Sequence, residues 1–237
     1  MGSGVTELMR ILIVSDIHGS LGKVERLARI KRELTVVAGD ISRCGSIEEA
    51  RAVLGELARQ SPVAWIPGNC DSLELARVSI ANAECIHMKV YKFRELVLAG
   101  IGGSIYTPFS TPFEYSEEEY SRMLAKLKEE IKKNSNNGKV VLVSHTPPYM
   151  SGLDRVRGGE YVGSPSLRKL VAETRPLLVV VGHIHEAWGV ASVEGVLAVN
   201  PGPLEAGRYA IADIDTVKNI VRVRLARLSE SLAADEP

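Results

Sequence analysis

The sequence predicts an α/β protein built around a parallel sheet that helices cover. Apolar runs at 11–14, 34–38 and 63–66 show no polar alternation, which is typical of parallel strands buried on both faces. The intervening segments 21–32 and 46–60 carry apolar residues at helical spacing. Strands that alternate with helices in this way favour a parallel sheet with crossover connections.

The remainder of the chain predicts further strands and helices without an internal repeat. These elements are hairpin strands at 88–93 and 95–100, helices at 116–133 and 164–174, and single strands at 140–144 and 177–181. The last elements are four short strands at 188–193, 195–199, 208–214 and 220–225. Because no helical pattern interrupts these four strands, they indicate a second, mixed sheet.

We expect a single domain over 10–228, preceded by a flexible leader over 1–9 and followed by a polar tail over 229–237. Two long loops, 102–115 and 149–163, connect predicted elements and are candidates for a lid. The aromatic side chains of the first loop could stack on a base or pack against the core.

Charge and composition argue against several classes of function. Lys and Arg total 29 and Asp and Glu total 29, so no long-range field attracts nucleic acid or an anionic membrane. No apolar run approaches the roughly 20 residues of a membrane-spanning helix, and the start does not resemble a signal sequence. The 3 cysteines lack paired or zinc-ribbon spacing, which favours a reducing compartment, and we expect a cytoplasmic protein.

Polar residues cluster where the predicted strands end. Each cluster taken alone fits an ordinary turn or a helix cap. Four of the 5 histidines nevertheless follow strands directly. Because the carboxyl ends of parallel strands converge on one edge of a sheet, we expect these side chains to form one pocket. The residues concerned are Asp16, His18, Asp40, Asn69, His145, His183 and His185.

The donor atoms of this set indicate a metal centre. Imidazole nitrogens mixed with carboxylate and amide oxygens suit divalent Mn, Fe, Co, Ni or Zn, and they are too rich in imidazole for Ca or Mg. Seven ligands are too many for one tetrahedral ion. Two divalent transition-metal ions that share a bridging carboxylate are therefore the economical solution.

The order of these motifs resembles that of the calcineurin-like metallophosphoesterases. The resemblance is carried by Asp16-x-His18, Gly39-Asp40, Gly68-Asn69-x-Asp71, Ser144-His145 and Gly182-His183-x-His185, which span nearly the whole chain. Cys70 and the Val-Asn-Pro-Gly segment at 199–202 look more like the small bacterial and archaeal phosphodiesterase branch. The resemblance implies a four-layer α/β sandwich, with two mixed β-sheets facing each other between flanking helices.

The resemblance also implies roles for individual residues. One cation would bind Asp16, His18 and His185, the other would bind Asn69, His145 and His183, and Asp40 would bridge them. Two cations about 3.5–4 Å apart hold a hydroxide that attacks phosphorus in line, while their charge neutralises the phosphate oxygens. The expected catalytic residues are Asp40, Asn69, Cys70, Asp71 and His145.

Cys70 departs from the pattern of many family members, which have a histidine at this position. An ordinary thiol has a pKa near 8.5 and carries no positive charge at neutral pH, so it is a poor proton donor. We therefore expect weak hydrolysis of dianionic monoesters and a preference for phosphodiesters or for esters of acidic leaving groups. The alternative is that Cys70 is a small buried residue without a chemical role.

Residues that contact the substrate are harder to assign than the metal ligands. Arg43 lies shortly after the second carboxylate motif and could reach a phosphate, or it is a surface arginine. Arg155 and Arg157 in the second long loop have the same two alternatives. Asn200 and Gly202 are expected to shape the floor of the pocket, although an Asn-Pro-Gly turn would be ordinary by itself.

We expect a dinuclear metal-dependent phosphoesterase that acts on a small phosphodiester or another phosphate ester. One alternative is a nuclease of the same superfamily, against which the neutral charge, the short chain and Cys70 argue. Another is a metal-binding scaffold for protein interactions, like the phosphoesterase-fold subunit of the retromer complex. Loss of a ligand histidine would mark a scaffold, and this chain keeps all of them. Nucleic acid and membrane are not expected as partners, and a homo-oligomer is left open.

Overall fold

The computed structural model describes residues 8–43, 45–135 and 139–229, which form two large sheets with helices on their outer sides. The strands are β1 (Leu8–Val14), β2 (Leu34–Ala38), β3 (Val63–Ile66), β4 (Ala83–Cys85), β5 (Val90–Phe93), β6 (Leu96–Ile101), β7 (Ser104–Ile105), β8 (Glu114–Tyr115), β9 (Val140–Ser144), β10 (Leu178–Val180), β11 (Gly189–Val193), β12 (Val196–Asn200), β13 (Arg208–Asp215) and β14 (Ile220–Arg227). The α-helices are α1 (Leu21–Arg26), α2 (Ile47–Ala58), α3 (Glu117–Asn134) and α4 (Pro165–Thr174).

The first sheet has the strand order β14-β13-β1-β2-β3-β4. Strands β1 to β4 run parallel, and Val14 lies opposite Val37 while Ala38 lies opposite Ile66. The carboxyl ends of β1, β2 and β3 therefore reach the same edge of the sheet. β13 pairs antiparallel with β1, and β14 pairs antiparallel with β13.

The second sheet has the strand order β11-β12-β10-β9-β6-β5. Its four central strands are parallel, whereas β5 and β11 run antiparallel at the two edges. The expected second, mixed sheet is therefore confirmed, but only β11 and β12 of the four final strands belong to it. β13 and β14 return to the first sheet, where β13 satisfies backbone groups of β1 that would otherwise form an open edge.

The hydrophobic core has three layers, which confirms the expected four-layer sandwich. Ile13 of the first sheet and Val143 of the second belong to the cluster between the two sheets. Leu54 of α2 packs in a cluster with the outer face of the first sheet, and Leu127 of α3 does the same on the second sheet. Each sheet is thus apolar on both faces, which explains the absence of polar alternation in the central strands.

The helix starts follow local capping signals. Ser116 Oγ accepts the backbone N–H of Glu119 at 3.1 Å, and the Glu119 carboxylate accepts the N–H of Ser116 at 2.9 Å. Ser164 Oγ caps α4 by accepting the backbone N–H of Leu167, with proline in the first turn. The end of α1 was predicted less well, because the helix stops at Arg26 and continues only as a 3₁₀ turn over Leu27–Arg29.

Further elements also differ from the sequence predictions. β1 begins at Leu8, inside the segment expected to be a leader. β4 was not predicted, because three residues carry too little periodicity. The loop 102–115 contains the short parallel pair β7 and β8. Most of the predicted leader and of the polar tail lies outside the described residues.

The loop 149–163 is held by one buried carboxylate, that of Asp154. It accepts the backbone N–H groups of Met150, Ser151 and Gly163 at 2.8, 2.9 and 3.1 Å. These donors lie at both ends of the loop. The path of the loop is therefore set by hydrogen bonds within it rather than by packing alone.

Candidate metal centre

Both sheets deliver polar side chains to one place. Asp16 and Asp40 follow β1 and β2 of the first sheet, while His145 and His183 follow β9 and β10 of the second. The chain after β10 then turns through a 3₁₀ segment that begins at His185. Because the parallel strands of both sheets end at this edge, residues far apart in sequence meet here.

Several of these residues have left-handed backbone conformations. The φ angles are 52° at Asp16, 45° at His18, 51° at Asp40 and 71° at His183. Such a conformation is unfavourable for a residue with a Cβ atom and is typical of functional sites. Gly68 shows how tightly the segments approach, because a Cβ atom there would lie 2.0 Å from Asp40 Oδ1.

Asp16, His18 and His185 form the first candidate ligand group. One donor atom from each side chain lies within 4.8 Å of the other two. His185 Nε2 is 3.3 Å from Asp16 Oδ1, and the ring centroids of His18 and His185 are 5.6 Å apart. The backbone N–H of His183 donates to both Asp16 oxygens at 3.2 Å and so orients this carboxylate.

Asp40 lies between two groups of imidazoles. Its Oδ2 is 3.8 Å from His18 Nε2, and its Oδ1 is 3.5 Å from His145 Nε2. The backbone N–H of Cys70 donates to Oδ1 at 2.8 Å. The two carboxylate oxygens therefore face different histidines, which is the arrangement that a bridging ligand requires.

Asn69, His145 and His183 lie together on the other side of Asp40. His145 Nε2 is 2.8 Å from Asn69 Oδ1, and the rings of His145 and His183 are 5.0 Å apart. His145 Nδ1 donates to the carbonyl of Ala38 at 2.7 Å. This bond directs Nε2 toward the centre, as a backbone carbonyl behind a ligating histidine commonly does.

The lowered pKa values of Asp16 and Asp40 keep both carboxyl groups ionised. Burial raises the pKa of Asp16, but the hydrogen bond from His185 and the charge of His145 outweigh it, and the pKa falls below its usual value. Burial also opposes ionisation of Asp40, yet the charge of His145 and its hydrogen bond bring the pKa well below the usual range.

The buried imidazoles respond in opposite directions. Burial lowers the pKa of His145, but Asp40 outweighs burial and raises the pKa to about 9. Burial and the charge of His145 lower the pKa of His183 to about 4. His183 is therefore neutral, and one of its ring nitrogens carries a lone pair. His145 is protonated, and its Nε2 lies beside the oxygens of Asn69 and Asp40. A metal cation bound there would replace the proton on this nitrogen.

The donor set fits divalent transition-metal cations. Two carboxylates, one amide oxygen and four imidazoles converge in a site that is buried around Asp16, Asp40, Asn69 and His145. Three overlapping groups of side chains within 4.8 Å could each hold an ion, and Asp16, His18 and Asp40 each belong to two of them. Mixed nitrogen and oxygen donors of this kind match the metals expected from the sequence.

Cys70 lies beside two of the candidate metal ligands. Its sulfur forms one of the three candidate ligand groups with His18 and Asp40. Burial and the charge of Asp40 raise the pKa of the thiol well above its ordinary value. The thiol is therefore neutral, and Cys70 brings no positive charge to the pocket.

Asp71 does not contact the candidate ligands, although it was expected among the catalytic residues. Its carboxylate accepts the N–H groups of Gly68, Ile41 and Ser42 at 2.8, 3.0 and 2.9 Å, and the Ser42 hydroxyl at 2.8 Å. Asp71 thus joins the segments that follow β2 and β3. The expected catalytic role of Asp71 stays a prediction.

Asn200 and Gly202 lie beside the segment that carries His185, and their expected place in the floor of the pocket stays a prediction. The buried Asn200 donates from Nδ2 to the carbonyl of Ile184 at 2.9 Å and accepts the N–H of Gly202 at 2.9 Å. Both ends of its amide are therefore used inside the protein. Gly202 has φ +74°, and a Cβ atom there would lie 2.8 Å from Trp188 Cβ and from Arg208 Cδ.

The three arginines considered for phosphate binding lie at the edges of the site. Arg43 Nε donates to the carbonyl of His18 at 2.9 Å, so its exposed side chain is beside the candidate ligands. Arg155 packs over the ring of Tyr161 at 5.8 Å, and the backbone of Arg157 donates to Glu186. Arg43 alone among these three contacts a ligand residue directly.

The sequence analysis missed the residues that orient Asn69. The Nδ2 of Asn69 donates to Thr111 Oγ1 at 3.0 Å, and this hydroxyl donates to Glu114 Oε1 at 2.5 Å. The amide oxygen of Asn69 is thereby directed to His145 Nε2. A local signal exists, because Thr111 and Glu114 have spacing typical of a hydrogen-bonded turn, but nothing local indicates Asn69 as the partner.

Comparison with known proteins agrees with the fold and shows the family. The family model of the calcineurin-like phosphoesterases matches residues 9–187. The uncharacterized protein MJ1162 of Methanocaldococcus jannaschii is 35% identical over 222 residues, covering 92% of this chain and 96% of that protein. The structure of TT1561 of Thermus thermophilus is similar with a TM-score of 0.67 at 20% identity, covering 92% and 98% of the two chains. GAP50, the anchor in the inner membrane complex of Plasmodium, has a TM-score of 0.56 at 10% identity, with 95% and 90% covered.

The fold and the polar edge define an α/β sandwich of the metallophosphoesterase type. The chain belongs to the calcineurin-like phosphoesterase family, which confirms the resemblance seen in its motifs. The family is metal-dependent and hydrolyses phosphate esters, so the general class of activity is that of a phosphoesterase acting on small molecules. None of the described helices has the length and apolar character needed to cross a membrane.

We expect Thr111→Val to weaken metal binding, because the Asn69 amide loses the acceptor that orients it. Loss of a supporting hydrogen bond behind a ligand typically costs 10- to 100-fold in affinity. Titration calorimetry with Mn²⁺ should show the loss of affinity. Thr111→Ser keeps the hydroxyl and should bind like the parent protein.

Thr107→Val is the matched control for this experiment. Thr107 Oγ1 also donates to Glu114 Oε1, at 2.5 Å, whereas the hydroxyl that accepts the Asn69 amide is that of Thr111. Equal weakening by Thr107→Val and Thr111→Val would mean that loop stability, and not the Asn69 amide, controls the affinity.

Proposed function

We propose that this protein is a dinuclear metal-dependent phosphodiesterase. The observation that carries the proposal is the position of Asp40, whose two oxygens face His18 on one side and His145 on the other. A carboxylate between two imidazole groups suits a pair of cations better than a single one.

In this proposal the ligands divide into two sets. One cation would be held by Asp16, His18 and His185 and the other by Asn69, His145 and His183, and both would share Asp40. Bound there, divalent cations such as Mn, Fe, Co, Ni or Zn supply Lewis acidity that activates water and neutralises phosphate oxygens.

The residues of the chain prepare this site before any substrate arrives. The Ala38 carbonyl and the Thr111 hydroxyl fix the directions of His145 Nε2 and Asn69 Oδ1, while the Cys70 N–H fixes Asp40. Asp71 connects the two segments that carry Asp40 and Asn69. Such preorganisation reduces the reorganisation that charge development in the transition state would otherwise require.

Cys70 supports a preference for diesters. Its raised pKa leaves a neutral thiol beside His18 and Asp40, where a protonated histidine would add a positive charge. A dianionic monoester would therefore find less compensating charge than in a site with histidine at this position. A monoanionic diester needs less of it.

Two other functions are less well supported. A nuclease would need a surface that attracts a polyanion, whereas Lys and Arg total 29 against 29 for Asp and Glu. A protein-interaction scaffold of this fold is a second candidate, and GAP50 is described as an anchor. The complete set of candidate ligands favours the enzyme.

The free thiols of Cys70 and Cys85 fit the reducing cytoplasm that we propose as the location of the protein.

We expect Asp40→Asn to lower the metal-dependent hydrolysis of bis-p-nitrophenyl phosphate by at least about 100-fold, because the bridging charge is lost. Asp213→Asn makes the same chemical change at a partly exposed ion pair with Arg10 and should retain activity. Bound metal without turnover of any phosphate ester in the parent protein would instead favour the scaffold.

Metal content should distinguish the bridging ligand from a terminal one. Asp40→Ala is expected to lose both cations, whereas His18→Ala should lose one and keep the other. Elemental analysis after dialysis gives the stoichiometry, and circular dichroism checks that both variants fold. If the two variants lose metal alike, the bridging role of Asp40 is wrong.

Cys70→His is expected to raise monoester hydrolysis relative to diester hydrolysis several-fold, because the imidazole can carry a proton near the phosphate. The measurement is the ratio of kcat/KM for p-nitrophenyl phosphate and bis-p-nitrophenyl phosphate. Cys70→Ser controls for loss of the sulfur. An unchanged ratio in Cys70→His would contradict the role assigned to the thiol.

A further inference from the structure

A groove begins next to the candidate metal ligand His185. It has a volume of about 430 Å³ and is lined by Leu153, Arg155, Glu186, Trp188, Val190 and Ala191. This volume is in the range of small-molecule sites. The groove lies between the loop 149–163 and the start of β11, and part of its lining follows directly after His185 in the chain.

Trp188 gives this groove a rigid aromatic wall. The side chain is 39% exposed, yet the guanidinium of Arg208 stacks on its ring at 4.3 Å. Arg208 Nη1 also donates to the carbonyl of His185 at 3.2 Å. Gly202 lies against both side chains, because a Cβ atom there would be 2.8 Å from each. The indole is therefore fixed to the same backbone that carries the ligand His185.

The other walls add apolar contact and two charges. Leu153 is buried and precedes Asp154, whose hydrogen bonds set the path of the loop. Arg155 and Glu186 bring a guanidinium and a carboxylate to the same groove. A planar group that stacks on Trp188 could thus meet a donor and an acceptor at its edge. These are the features with which proteins bind nucleobases.

We propose that the groove binds the nucleoside part of a nucleotide phosphodiester, with the phosphate at the metal centre. This inference rests on the proposed function, since it names the substrate class of that site. The overall charge balance argues for a small nucleotide rather than a polynucleotide. Trp188 and Arg208 lie beyond residues 9–187 that match the family model, whereas Leu153, Arg155 and Glu186 of the same groove lie within that range.

Tryptophan fluorescence can test occupancy without turnover. The chain has 2 tryptophans, and Trp65 is fully buried whereas Trp188 is not. Adenosine 5′-monophosphate added to the metal-loaded protein should quench the emission in a saturable manner, and inorganic phosphate should not. Trp188→Phe should abolish the change. Quenching that persists in Trp188→Phe, or no quenching in the parent protein, would overturn the proposal.

A pair of substrates provides the kinetic test. We expect kcat/KM for thymidine 5′-p-nitrophenyl phosphate to exceed that for methyl p-nitrophenyl phosphate by about 5- to 100-fold, the range of base stacking on an aromatic side chain. Trp188→Leu should remove most of this ratio. Phe109→Leu changes an aromatic side chain that is 82% exposed in the other long loop and should leave the ratio unchanged.

The two tests separate the failure of this inference from failure of the proposed function. Equal kcat/KM values for the two esters would contradict nucleoside binding in the groove, and they would not contradict the proposed phosphodiesterase activity. If neither ester is hydrolysed, the phosphodiesterase proposal fails, and the fluorescence titration still decides whether the groove binds a nucleotide.

Discussion

The carboxylates of Asp16 and Asp40 are buried, with exposed fractions of 1% and 3%. The rest of the structure depends on compensating these two buried negative charges. An ionised group without water must have opposite charge or hydrogen-bond donors around it. Both carboxylates come from the first sheet, whereas His145 and His183 come from the second. The charges are therefore compensated only when the two sheets have packed, so that the core between the sheets and the site at their edge depend on each other.

Three further carboxylates support the centre without reaching it. Asp71 accepts a backbone N–H and so holds the segment before Asn69. Glu114 accepts the Thr111 hydroxyl and so holds the loop that orients the Asn69 amide. Asp154 accepts a backbone N–H in the loop beside the groove. Each acts locally as a fixed acceptor in a short stretch of chain. The geometry of the metal-binding edge is in this way distributed over loops that connect the strands, while the strands themselves supply rigidity.

The central layers and the candidate ligands could be predicted because their signals are local. An unbroken apolar run marks a strand buried on both faces, and a polar residue directly after it, such as Asp16 or His145, is visible in a few letters. The capping box at Ser116 is equally local. The family resemblance then added the pairing of ligands into two sets.

The features that escaped prediction depend on partners distant in the chain. Thr111 bonds to Asn69 across 42 positions, and Asn200 donates from its amide to the carbonyl of Ile184 across 16 positions. The return of β13 to the first sheet is of the same kind, because periodicity shows that a segment is a strand without showing which edge it joins. The left-handed backbone conformation at Asp40 could not be predicted from the sequence either, because the residue at that position is not a glycine.

The pairing of β13 with β1 has a consequence for the synthesis of the protein. Leu8 lies opposite Asp215, so the first strand cannot complete its hydrogen bonds until about 200 further residues have left the ribosome. At about 5–20 residues per second this interval is roughly 10–40 s. During it the edge of β1 that ends at Asp16 is open to other strands. The nascent chain is thus most exposed to mispairing at the strand that begins the catalytic edge, and dependence on chaperones should be greatest before the last hairpin emerges.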